Sequence, residues 1–183
     1  GGGVSEAGDD SIVLRNVDAP MLIVDSLTNQ QVSLRVEGDG VIQQASVRTN
    51  AFLADNTSSG CGISQLELNG EEGLTLGLSG NVKEVINRTP GSTLSVNRGR
   101  VDTITVDETA TDTVLEIASG AEVDRVNLDV AARVTGDGDI GELVVNAPGC
   151  IISMLPDEIV IRPGISADID GETMDSAAAA ESS

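Results

Sequence analysis

A three-position apolar frame recurs along this chain and limits what it can fold into. Ile63, Leu66 and Leu68 stand at offsets 0, 3 and 5, and the offsets return at Val101, Ile104, Val106, at Val123, Val126, Leu128 and at Ile140, Leu143, Val145. Ile42, Ala45 and Val47 fit as well, and Val82 and Val85 open a copy whose third slot falls on Asn87. The six starts lie 21, 19, 19, 22 and 17 residues apart. Each frame is followed by a turn-like break and a second run, as in Leu74–Leu78, Ser92–Val96 and Thr113–Ile117. A glycine then closes most units: Gly60, Gly80, Gly99, Gly120 and Gly138.

The second runs alternate with period two and are rich in β-branched residues, which reads as strand. Helical stripes do not persist beyond a turn, and glycine or proline interrupts the chain at intervals shorter than the roughly 11 residues of a mean helix. A unit of this size with two or three short strands cannot bury its apolar side alone. Stacked units can, each coil lying about 4.8 Å above the last. The expectation is an all-β, parallel β-helix of about six to eight coils of 17–22 residues with a C-terminal cap, right-handed by the resemblance given below. A sandwich or up-and-down barrel would need tight hairpin turns. Asn69-Gly70, Asp137-Gly138 and Asp170-Gly171 are too few to join so many strands.

The ends read differently. Residues 1–10, opening on Gly1-Gly2-Gly3, suit a flexible linker, 11–171 the solenoid, and 172–183 a low-complexity disordered tail. Ile12–Leu14, Met21–Val24 and Val32, Leu34, Val36 suggest an irregular first coil or two. Pro156-Asp157-Glu158 interrupts the frame, so Ile159–Ile161 and the alternating Ile165, Ala167, Ile169 are expected to form a closing hairpin over the last coil.

Stacking also makes the charges testable. It sets Lys83 under Asp102, Arg88 under Asp107 and Arg125 beside Glu142, but also Asp102 beside Asp124 and Asp107 beside Asp129. Those like charges require an offset register, a cation or water between them. Cys61 and Cys150 fall four repeats apart, about 19 Å along the axis at strand spacing. A disulfide needs Cα atoms within about 7 Å, so two free, buried thiols are expected.

Composition removes whole classes of chemistry. There is no His, Trp or Tyr and a single aromatic residue, Phe52, expected in core or cap packing. Without imidazole there is no Ser-His or Cys-His nucleophile and no His-ligated metal. A formal charge of -20 repels phosphate backbones and leaves bases nothing to stack on, which excludes nucleic acid as a partner. No stretch approaches the ~18 apolar residues of a membrane span. Sugar-cleaving β-helices use Asp clusters, calcium and an arginine base; the candidates are Asp102, Asp107, Asp124 and Asp129 with Arg100 or Arg125. Calcium is the one cofactor this strip would admit. Gly136-Asp137-Gly138-Asp139-Ile140 resembles one calcium-binding nonapeptide, but such sites need tandem copies, and a tight turn is the better reading. Asp168, Asp170 and Glu172 offer a weak chelate at most. Asn56-Thr57-Ser58 and Asn87-Arg88-Thr89 have the form of glycosylation sequons.

Gly138-Asp139-Ile140-Gly141-Glu142-Leu143-Val144-Val145-Asn146-Ala147-Pro148-Gly149-Cys150, leading into Pro156, Val160, Pro163-Gly164-Ile165 and Asp170-Gly171, resembles the closing segment of right-handed β-helix regions in exported surface proteins of Gram-positive bacteria. Val36–Ile42 and Ser59–Ile63 are similar to paired segments of the same proteins, which often carry S-layer-homology or other wall-anchoring modules. The resemblance implies an extracellular, cell-surface location and a structural or adhesin-like role with no catalytic residues. The partner would be an extracellular or cell-envelope ligand and the chain a monomer. The alternative is a carbohydrate-active β-helix, either a polysaccharide lyase-like enzyme or a glycan-binding module.

Overall fold

The computed structural model describes residues 12–26 and 31–182. The expected linker over 1–10 lies outside them. Its first two coils are β1 (Ile12–Arg15) with β2 (Leu22–Val24) and β3 (Val32–Gly38) with β4 (Ile42–Val47). β5 (Ala51–Thr57), β6 (Ile63–Leu68), β7 (Thr75–Ser79) and β8 (Val82–Asn87) make the next two. In the fifth coil one long strand, β9 (Thr93–Val106), serves both sheets. β10 (Thr113–Ile117), β11 (Ala121–Leu128), β12 (Ala132–Gly136) and β13 (Asp139–Val145) follow, and β14 (Ile151–Ile152) with β15 (Glu158–Ile161) complete the eighth. β16 (Ser166–Ile169), β17 (Glu172–Asp175) and helix α1 (Ser176–Ser182) close the chain.

The result is a parallel β-solenoid with two sheets. Odd strands to β9, then β10, β12, β14 and β16, form the first; β2, β4, β6, β8, the end of β9, β11, β13 and β15 form the second. The repeating frame is the register of the second sheet. Ile42, Ile63, Val82, Val101, Val123 and Ile140 pair one on the next, as do Ala45, Leu66, Val85, Ile104, Val126 and Leu143. Every one of them is buried. Facing them, Ala51, Leu76, Leu94, Leu115, Val134, Ile152 and Ile169 form an equivalent column in the first sheet. Each side chain meets its counterparts above, below and opposite, and burial of a full aliphatic side chain contributes about 1.5–3 kcal/mol.

The first coil is not irregular: Ile12 pairs with Leu34 and Leu22 with Ala45 in the common register. Pro156 does not interrupt the stack either. It is buried in the first slot of the frame, and the peptide N–H that bonds the coil below belongs to Asp157, donating to Ile140 O at 3.0 Å. Ile159 and Ile161 accordingly pair in parallel with Leu143 and Val145, so this segment is another coil. The hairpin comes later, between β16 and β17, the one antiparallel pairing among the named strands. Its two-residue turn has positive φ at Asp170 (51°) and Gly171 (81°), as a type I′ turn requires. The residues expected as a tail are therefore strand and helix. Asp175 caps α1 by accepting from the N–H groups of Ala177 (2.9 Å) and Ala178 (3.0 Å), and Ala179 is buried against the last coil.

The chain turns between sheets where backbones nearly touch. Gly99 (φ 92°) and Gly80 (φ 125°) stack at one such corner, and a Cβ on Gly99 would run into the Gly80 carbonyl. At the opposite corner the frame's odd member, Asn87, is fully buried yet satisfied. Its Nδ2 donates to Ser92 Oγ (2.8 Å) and Thr113 Oγ1 (3.0 Å), and its Oδ1 accepts from Thr89 N–H (3.0 Å). Ser92 in turn donates to Thr89 O at 2.7 Å and Thr113 to Ala110 O at 2.8 Å. The burial of Asn87 bars glycosylation at that sequon. Asn87→Ala would strand the Thr89 N–H in a dry interior, and such an orphan costs about 1–3 kcal/mol. The expected result is a lower urea midpoint with an unchanged slope; a midpoint equal to wild type would show the network to be dispensable.

Candidate functional site

The four aspartates of the acidic strip do not converge. Asp102 on β9 and Asp124 on β11 lie on neighbouring coils of the second sheet, while Asp107 and Asp129 begin the turns that follow those strands. The pairs are five residues apart along the chain, roughly 16 Å of extended strand. Among the described residues, no group of three or more His, Cys, Asp or Glu side chains could hold one metal ion.

Each like-charged pair has its own relief. Arg100, one residue before the frame, reaches up a coil: its Nε and Nη2 donate to Asp124 Oδ2 at 3.2 and 2.8 Å, and its Nη1 lies 3.3 Å from Glu122. The hydrogen bond to Asp124, then the fields of Asp124, Glu122 and Asp102, push the Arg100 guanidinium above its ordinary pKa. Of the three reliefs expected for Asp102 and Asp124, the structure supplies a cation, the Arg100 side chain, bound to Asp124 and within the field of Asp102. Asp107 accepts from the N–H and hydroxyl of Thr109 at 3.1 and 2.8 Å, and Arg88 lies 3.5 Å away. Asp129 accepts from Asn146 Nδ2 at 2.7 Å.

Two of the three expected cross-coil ion pairs form. Arg88 meets Asp107, and it also pairs with Glu67 on the coil below, whose offset in the frame is two residues short of its own, so that stacking equal offsets does not bring the two together. Arg125 meets Glu142 at 2.9 Å. Lys83 forms no ion pair with Asp102 among the described residues. All these arginines are about half exposed, so solvent screens each pair and it adds little to stability. Arg100 and Arg125, the candidate bases, are both committed to carboxylates.

The acidity is distributed unevenly. By strand alternation the outer face of the first sheet carries Arg15, Arg35, Arg98 and Arg133 against Glu37, Glu116, Asp168 and Asp175, which is neutral within a chain of -20. The outer face of the second sheet carries Glu67, Glu84, Asp102, Glu122, Asp124, Asp139, Glu142 and Glu158 against Lys83, Arg100 and Arg125. The neutral face also holds Phe52. Its neighbour Leu53 takes the inward position, so the ring lies outside, half-buried over Gly77, and is not core packing. A Cβ on Gly77 would stand 2.8 Å from Phe52 Cδ2.

Three concavities among the described residues are shallow. One of about 190 Å³ is lined by Ser95, Asn97, Glu116 and Thr135 on the neutral face. Another of about 210 Å³ lies on the same face beside Thr113, Arg133 and Ile151. A third, of about 350 Å³, is bounded by Asp107, Glu108, Asp129, Asn146 and Arg162 at the turns. Gly136 to Asp139 form a tight turn, with the N–H groups of Asp137 and Gly138 both donating to Ile117 O. Both cysteines are free. Cys150 is buried and Cys61 half-exposed, and desolvation pushes both thiols up.

Two measurements follow. A maleimide should modify Cys61 alone in the native protein and both cysteines in denaturant; rapid native labelling of Cys150 would contradict its burial. For Asp107, burial acts to raise its carboxyl pKa, but the two Thr109 bonds and Arg88 together outweigh it and hold the group low. A folded pKa below the unfolded one gives stability that is present above the unfolded value, about 3.9, and is lost as pH falls through the folded value. The difference in denaturant midpoint between wild type and Asp107→Asn should thus be open at neutral pH and close in acid. A difference that widens in acid would reverse the sign.

No protein-family model matches the sequence, and no curated protein does. Among solved structures, the fold is similar to part of the chitinase ChiW from Paenibacillus sp. str. FPU-7, described as a bacterial cell-surface-expressed multi-modular enzyme machinery. The two superpose with a TM-score of 0.69 at 20% identity over 87% of this chain, which spans 14% of that one. Likeness at this level concerns the fold: a solenoid of this kind occurs within a much longer cell-surface protein. Among the described residues no helix is long and apolar enough to cross a membrane.

Proposed function

We propose that this chain is a non-catalytic, adhesin-like module of a longer exported bacterial surface protein, a stiff spacer that also presents a contact face. The observation that carries the reading is the flush exterior. Coils of the second sheet stack residue on residue, and three concavities among the described residues, of about 190, 210 and 350 Å³, are shallow. All but Asp102 of the side chains that a lyase-like mechanism would draw on are engaged elsewhere: Arg100 with Asp124, Arg125 with Glu142, Asp107 with Thr109 and Asp129 with Asn146. An arginine acting as base must first be neutral, and Asp124 favours the charged form of Arg100. The cell-surface, multi-modular setting of the ChiW chitinase supports the location, and the resemblance to Gram-positive surface β-helices points to anchoring modules elsewhere in the polypeptide.

The test has two arms. The protein is incubated with polygalacturonate, chitin and cellulose, with and without calcium, and scored for new reducing ends and unsaturated products. None is expected, and release that Asp124→Asn or Arg100→Gln abolishes would overturn the non-catalytic reading. In the second arm, an epitope on this segment of the full-length protein should be accessible on intact cells. An epitope reached only after lysis would overturn the surface location.

A further inference from the structure

We propose that the outer face of the first sheet binds an uncharged polysaccharide lying along the solenoid axis, with Phe52, Ser95, Glu116 and Thr135 as the contact line. The inference deepens the reading of the chain as a surface contact module and rests on it.

Charge selects the face and the class of ligand. The chain repels anionic polymers, and a cationic partner would be drawn to the second sheet and the turns, where the carboxylates are in excess. The first sheet alone offers balanced charge. It is also where hydroxyl and amide groups, those of Ser95, Thr135 and Asn97, line a shallow concavity of about 190 Å³. An uncharged chain rich in hydroxyl groups is the polymer such a surface recognises without opposing the field.

The line itself has the parts a sugar chain needs. Phe52 is the sole aromatic residue, and strand alternation turns it outward, where a pyranose ring can cover its free face with C–H groups. Glycine at 77 lets the ring lie down: any larger side chain would meet it. From Gly77 the column continues through Ser95, Glu116 and Thr135, one residue per coil. Ser95 Oγ donates to Glu116 Oε2 at 2.6 Å, which fixes the carboxylate on the face. Glu116 lines the concavity, and its Oε1, with no protein donor among the described residues, is left as an acceptor for a sugar hydroxyl. The coil spacing of about 4.8 Å is close to the length of one unit of an extended β-linked glycan, so successive sugars meet successive coils.

The probes are insoluble cellulose and chitin, with polygalacturonate as the anionic comparison, and the readout is depletion of the whole chain from solution. Depletion by at least one uncharged polymer is expected, little changed by added salt, with none by polygalacturonate. Phe52→Ala and Thr135→Asp should each weaken it about tenfold, or 1.4 kcal/mol. Thr105→Asp, on the opposite sheet, should leave it unchanged. Because Phe52→Ala also uncovers Gly77 and Ser33, circular dichroism must show it folded; if it is not, Thr135→Asp decides. No depletion by either uncharged polymer, or equal loss with Thr105→Asp, overturns this inference while leaving the module reading in place. Product release in the preceding assay overturns the module reading whether or not the glycan is retained.

Discussion

The fold depends on one interaction, the hydrogen bonding of each coil's backbone to the coils above and below in a shared parallel register, with a shift between Leu78 and Ser79. A single coil has two short strands and a handful of aliphatic side chains, too few to offset the entropy of fixing some twenty residues. Once coils share a register, the backbone groups of each find partners and every inward side chain joins a column. The register is kept even where coil lengths differ, because the extra residues are absorbed at the turns and not in the strands. The same constraint fixes what the corners tolerate: glycine at 80 and 99, where one carbonyl sits on the next backbone, and a closed hydrogen-bond network around Asn87, where a polar residue enters the apolar column.

Much of this was legible in the residues because the frame is itself the register. Offsets 0, 3 and 5 name the inward positions of the second sheet, and lining up successive copies names the residues that pair. What escaped did so for identifiable reasons. Pro156 reads as a breaker, yet a proline in the first slot costs no ladder bond when the next residue donates. Phe52 reads as core by hydrophobicity, but alternation with Leu53 decides its side, and the glycine that accommodates it lies 25 residues on in sequence. The C-terminal segment has the composition of a tail; only the hairpin turn at Asp170-Gly171, pairing β17 with β16, and the cap on α1 order it.

Among the charged groups, the column rule found Arg88 with Asp107 and Arg125 with Glu142 because both span one coil at equal offsets. It could not find Arg100 with Asp124, whose offsets differ by two, since a long side chain reaches diagonally. Nor does composition reveal that the acid is partitioned. A net charge of -20 suggests a uniform coat, whereas the strand alternation leaves one sheet electrically neutral on its exterior. The partition is a property of the fold, written into the sequence only once inside and outside are assigned.

The antiparallel hairpin and short helix at the C-terminal end give the solenoid a direction. Parallel strands could in principle continue from either end, but β17 runs against the grain and α1 lies over the last coil, so this end is a stop. Growth of the stack is therefore closed at this end and falls to the coils before it. Duplicating one coil there would lengthen the rod by a single strand spacing, about 4.8 Å, while leaving the terminus and the two exterior faces in their places. Length becomes a quantity that can drift by whole steps without disturbing what the faces present.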